Sequence, residues 1–128
     1  MIVLASASPR RAELFHSLGV PFTVFAPQVD EARIAAACTG GPAVLAERLA
    51  AAKAQAAADR FPDAVAVGAD TIVALGGEGF GKPRSEQDAR RMLRALSGRT
   101  HSVYTGVAVR GPHGAVSDCV RADVTFLP

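Results

Sequence analysis

Ala64-Val65-Ala66-Val67-Gly68, followed by Ala69-Asp70-Thr71 and Ile72-Val73-Ala74-Leu75, is the stretch on which the fold turns. Its first five residues are small and apolar at every position, the pattern of a buried strand. Ala69-Asp70-Thr71 ends that strand, and residues 72–75 continue extended. Residues 2–5 (Ile-Val-Leu-Ala) repeat the pattern near the start of the chain. Between the two runs the sequence is helical in character, as in an α/β arrangement.

Working outward, Ser8 is placed to cap a helix whose first residue is Pro9. Leu14, Phe15 and Leu18 fall on one face of that helix, and Gly19 stops it. Pro21 to Phe25 suits a second strand. Gly40-Gly41-Pro42 opens a long helix through about Asp59, whose alanines favour helix strongly and whose apolar stripe is thin. Gly76-Gly77 and Gly79-Phe80-Gly81 read as a flexible connection. Ser85-Glu86-Gln87-Asp88 is a capping box with Asp in the acidic position. The helix behind it is expected to bury Ala89, Met92, Leu93 and Leu96. Val103, Thr105, Val107 and Val109 alternate, Gly111-Pro112-His113-Gly114 turns, and Val116 to Leu127 alternates again. That is a hairpin of two long strands. The order of elements gives an α/β fold, a mixed sheet with flanking helices in a single domain over residues 1–128.

Composition narrows the class. The chain has 128 residues, 49% hydrophobic and 20% charged, an ordinary globular balance. No window approaches the roughly 20 apolar residues of a membrane helix. Met1 to Ala5 lacks a basic leader and reads as a strand, so no membrane and a cytoplasmic location are expected. Cys38 and Cys119 have no Cys or His partner at metal spacing and suit free thiols. A net charge of +2, no Trp and one Tyr give no base-stacking platform, so stable nucleic-acid binding is not expected.

Five places could carry chemistry. Ser6-Ala7-Ser8-Pro9-Arg10-Arg11 stands where a strand turns into a helix. Free N–H groups, two hydroxyls and two guanidiniums there suit either a phosphate grip or a capped helix with two solvated arginines. Asp70 follows the end of a buried strand, where sheets of this class bind ligands. It could hold a divalent cation, take a proton from water, or cap a turn. Residues 76–83 (Gly-Gly-Glu-Gly-Phe-Gly-Lys-Pro) nearly spell a phosphate-binding G-x-x-x-x-G-K-[ST] loop. Pro83 replaces the hydroxyl that would bind magnesium, so that reading is rejected and a glycine loop delivering Lys82 remains. Glu31 follows a strand, and Lys53 lies on the alanine-rich helix. Either alone suits a surface residue.

Taken in order, these segments resemble the Maf family of nucleotide pyrophosphatases. Leu4 to Arg11, Val29-Asp30-Glu31, Lys53, Gly68 to Val73, Gly81-Lys82-Pro83, Leu96 to Arg99 and His101 to Gly106 carry the resemblance. It implies a fold like that of inosine triphosphate pyrophosphatases, with the site in a cleft. It implies hydrolysis of dTTP or UTP to the monophosphate and pyrophosphate. Asp70 would be the proton acceptor, and Ser6, Arg10, Arg11, Lys53 and Lys82 would line the triphosphate site. Glu31 and Asp70 would hold a divalent metal, Mg or Mn, and Arg10 and Thr71 would bear on base choice. A homodimer is a further implication. Family members continue through a glycine-rich segment with a glutamine that this chain does not match, so the domain is expected to be C-terminally incomplete. A non-catalytic nucleotide-binding or cell-division regulatory module is the alternative.

Overall fold

The computed structural model describes residues 1–75 and 85–126, with the backbone alone of residues 78–80. Its elements are β1 (Ile2–Ala5), α1 (Pro9–Ser17), β2 (Thr23–Val24), α2 (Glu31–Ala37), α3 (Pro42–Arg60), β3 (Val65–Leu75), β4 (Glu78–Phe80), α4 (Glu86–Leu96), β5 (Thr100–Gly111) and β6 (Gly114–Thr125). The strands make one mixed sheet in the order β2-β1-β3-β5-β6, with β4 added beside β3. β1 runs parallel to β2 and to β3. β3 is antiparallel to β4 and β5, and β5 to β6.

Two sequence expectations change here. The buried strand does not end at Ala69-Asp70-Thr71. β3 is unbroken from Val65 to Leu75 because β5 pairs with it continuously from Ala66 to Ala74. Asp70 is therefore a mid-strand residue. The glycine-rich stretch contains a strand, since residues 78–80 pair with 73–75. Lys82 and the rest of that loop lie outside the described residues. A helix the sequence reading left out, α2, begins at Glu31, and the Asp30 carboxylate caps it by accepting from Arg33 N at 3.1 Å.

The core is built from small residues. From β1 the chain goes out to β2, then returns across β1 to β3. Right-handed crossovers place α1 and α3 on opposite faces of the sheet in such a path. On the α3 face, Ala50, Ala54 and Ala57 are fully or almost fully buried in one cluster with Ala66 of β3 and Ala108 of β5, and Ala46 is buried in a second with Leu49 and Ile72. The helix backbone rests directly on two glycines. A Cβ on Gly68 would overlap the Ala50 carbonyl, and one on Gly106 would overlap the Ala46 carbonyl.

The opposite face is covered less. Leu14 of α1 and Leu18, its C-cap, are 62% and 67% exposed, and Leu93 of α4 is 60% exposed. In α4 only Leu96 is buried, not the expected four residues. Helical spacing shows that an apolar stripe exists, not that another element covers it. Val116 and Val120 of the edge strand β6 also face away from α3 and are largely exposed. Among the described residues no helix is long and apolar enough to cross a membrane.

Candidate active site

β1 ends at Ala5, opposite Gly68, whereas β4 pairs only with Val73 to Leu75, its last residue Phe80 lying opposite Val73. Residues 69–72 of β3 therefore have β5 on one side and, among the described residues, no strand on the other. The loop Ser6-Ala7-Ser8 leaves β1 at this gap. The gap also lies where the chain path reverses across the sheet, the place where open α/β sheets form a ligand crevice.

From the α3 face, Lys53 enters the gap. Ala50, one turn earlier, sits on Gly68, and Asp70 lies two residues further along the same face of β3. That geometry lets the Lys53 ammonium donate to Asp70 Oδ1 at 3.0 Å. The same nitrogen is 3.2 Å from Glu31 Oε1, at the start of α2. The Asp70 and Lys53 side chains are 13% and 16% exposed, so the pair is mostly withdrawn from water and each charge needs the other.

Arg11 approaches from the opposite face. Its Nη2 donates to Thr71 Oγ1 at 3.0 Å, and Thr71 Oγ1 lies 3.3 Å from Thr105 Oγ1. The loop before α1 is held by its own hydroxyls. Ser6 Oγ, buried, accepts from Ser8 N at 3.1 Å, and Ser8 Oγ accepts from Arg11 N at 3.4 Å. Arg10 is exposed in the first turn of α1.

The predicted residues thus fall into two groups and a remainder. Glu31, Lys53 and Asp70 are brought together, as are Arg11 and Thr71. The Ser6 hydroxyl braces the loop backbone. Lys82 lies outside the described residues. Thr105 was missed, because its place opposite Thr71 depends on the β3–β5 register, which no local signal encodes. Two basic residues of α4 make local ion pairs, Arg90 with Glu86 and Arg91 with Asp88.

The donor set fits a magnesium-like cation in one form only. Among the described residues no three His, Cys, Asp or Glu side chains gather at metal-binding distance. Two carboxylates, Asp70 and Glu31, do reach one ammonium, so both can reach one small cation. Mg²⁺ is commonly held by one or two carboxylates, with phosphate oxygens and water completing its shell. Asp70 and Glu31 would be the protein ligands.

The Maf-like protein family model matches residues 1–128. The chain belongs to the Maf family. Among curated Maf relatives, a dTTP/UTP pyrophosphatase of Symbiobacterium thermophilum is 50% identical over 91% of this chain and 59% of its own length. One of Moorella thermoacetica is 50% identical over 98% of this chain and 64% of its own length. One of Myxococcus xanthus is 51% identical, over 98% and 62%. The chain spans about three-fifths of the length of these relatives. Among solved structures, the Staphylococcus aureus Ham1 protein matches with a TM-score of 0.55 at 19% identity, covering 96% of this chain and 69% of that one. A nucleoside-triphosphatase / dITP/XTP pyrophosphatase of Mycobacterium abscessus matches with a TM-score of 0.52 at 19% identity, over 97% and 73%. These two likenesses concern the fold, which is the mixed-sheet Maf and Ham1-like architecture.

Proposed function

We propose that this chain forms a Maf-like nucleoside triphosphate pyrophosphatase domain that hydrolyses dTTP and UTP to the monophosphate and pyrophosphate. The observation that carries the reading is the Asp70 carboxylate, held by Lys53 beside Glu31 at the gap in the sheet. The names of relatives at 50–51% identity support the substrate class and do not favour the non-catalytic alternative.

In this account Asp70 orients a water and accepts its proton. The water oxygen forms a bond to the α phosphorus, and the bond from that phosphorus to the α–β bridging oxygen breaks. The bridging oxygen departs with pyrophosphate and carries the negative charge. Arg10 and Arg11 at the start of α1, with Lys53 and Lys82, neutralise that charge, since fixed cations in a partly dry site act strongly on a charge that grows in the transition state. A divalent cation such as Mg²⁺ or Mn²⁺, when held by Asp70 and Glu31, supplies Lewis acidity toward the phosphate oxygens and water. Arg10 and Thr71 bear on the choice of base. The substrate is the free nucleotide of the cytoplasm, and the homodimer implied by the family resemblance forms part of this reading.

The test is direct. The purified chain is incubated with dTTP, UTP and 7-methyl-GTP, each with magnesium or manganese, and monophosphate and pyrophosphate are quantified. Stoichiometric release from dTTP and UTP agrees with the reading. Release of inorganic phosphate alone contradicts it.

A further inference from the structure

We propose that Thr105 is a positioning residue: through the Thr71 hydroxyl it sets the direction of the Arg11 guanidinium, and so the grip on the nucleotide's phosphates. This deepens the pyrophosphatase reading and rests on it.

A guanidinium only donates hydrogen bonds, so Thr71 Oγ1 must present a lone pair to Arg11 Nη2 at 3.0 Å. The single Thr71 proton then points elsewhere. Thr105 Oγ1, 3.3 Å away, is the side-chain oxygen placed to receive it among the described residues. That separation is longer than the roughly 2.5–3.0 Å usual between hydroxyls, so the pair supplies direction more than strength. The placement of both oxygens is set by the sheet. Thr71 and Thr105 are directly opposite in an unbroken nine-pair register between β3 and β5, and β-branching restricts their χ1 angles.

Arg11 needs such an anchor. α1 buries none of its residues fully, and its Phe15 meets Phe22 edge to face, so packing against the sheet constrains its rotation little. Among the described residues, the Arg11–Thr71 contact is the side-chain hydrogen bond that joins α1 to the sheet, across 60 positions of sequence. Thr105 therefore stands behind Thr71 as the fixed end of a three-member chain. An arginine aimed this way can take phosphate oxygens in a forked geometry without first finding its direction.

The experiment measures UTP affinity by calorimetry in the parent, in Thr105→Val, Thr105→Ser and Thr105→Ala, and in each of these combined with Arg11→Ala. Thermal unfolding is followed in parallel. Thr105→Val keeps the shape and removes the hydroxyl, and should weaken UTP binding about tenfold, the effect of one lost orienting bond. Thr105→Ser should bind as the parent does. In the Arg11→Ala background the Val change should have no further effect, which a general structural role would not produce. If Thr105→Val does not fold, Thr105→Ala serves in its place. Parent-like affinity in the hydroxyl-free variants, or an equal loss in the Arg11→Ala background, overturns the proposal alone. A parent that binds no UTP overturns the nucleotide reading and this proposal with it.

Discussion

Asp70 and Thr71 are consecutive in β3 and serve opposite faces of the sheet: Asp70 meets Lys53 of α3, whereas Thr71 meets Arg11 of α1. Alternation along a strand makes this unavoidable. It becomes useful because β1 stops opposite Gly68 and β4 reaches no further than Val73, which leaves the edge of β3 open between them. A ligand at that edge is approached by a carboxylate and an ammonium from one side and by a guanidinium from the other. In the proposed reading, these two adjacent residues would serve two different tasks on one phosphate chain.

Lys53 is the first test of this division. Lys53→Met leaves Asp70 mostly buried without its partner, and Glu31 beside it. Turnover of dTTP and UTP should fall by about 100- to 1,000-fold, the range seen when one preorganised donor is lost. Stability should fall by about 1–3 kcal/mol, with allowance for the remaining exposure of the pair. Urea unfolding followed by circular dichroism measures the second effect. A variant with parental turnover would remove Lys53 from the site.

The glycines under α3 set its distance from the sheet. A Cβ on Gly106 would overlap the Ala46 carbonyl and lie 2.6 Å from Glu47 N. These are helix backbone atoms, which cannot swing away. Gly106→Ala should therefore cost about 1–3 kcal/mol. Gly111→Ala is the control, because its Cβ would meet Val65 Cγ2 at an ordinary 3.6 Å. It should lie within about 0.5 kcal/mol of the parent. Equal urea midpoints for the two variants would contradict the close helix–sheet contact.

Cys119 makes a pH-dependent prediction. Burial first, then the negative charges of Glu47 and Asp118, raise its thiol above the usual 9.0. The thiolate is the reactive form, so alkylation by iodoacetamide in a Cys38→Ser background should still be accelerating as the pH passes 9.0. Glu47→Gln removes one of the charges and should move the profile to lower pH. A rate that levels off below pH 9.0 in the parent would show that the thiol is not held up.

Much of this fold is written in local signals. Ser8 before Pro9, Ser85 before Glu86, and the turn between Gly111 and Gly114 all mark boundaries that the structure keeps. Ser85 Oγ accepts from Asp88 N at 3.1 Å, as the capping pattern predicts. Lys53, Glu31 and Asp70 were each legible as candidates. Their convergence was implied by the family resemblance and not by the residues alone, because it depends on how closely α3 lies on Gly68. The continuation of β3 through Asp70 depends on a partner strand that begins 30 residues later at Thr100, so no local reading of residues 69–71 could supply it. Leu14 and Leu93 illustrate the converse, since their spacing is helical and their exposure is set by what covers the helix.

The central claim is that Asp70 activates the water, and pyrophosphate release measures it most directly. Asp70→Asn keeps the shape of the side chain and loses the proton acceptor. With UTP and Mn²⁺ or Mg²⁺, pyrophosphate release should fall at least about 100-fold, in line with the loss of a positioned general base, while the variant remains folded and still binds UTP. Release at the parental rate from a folded Asp70→Asn variant would contradict the account.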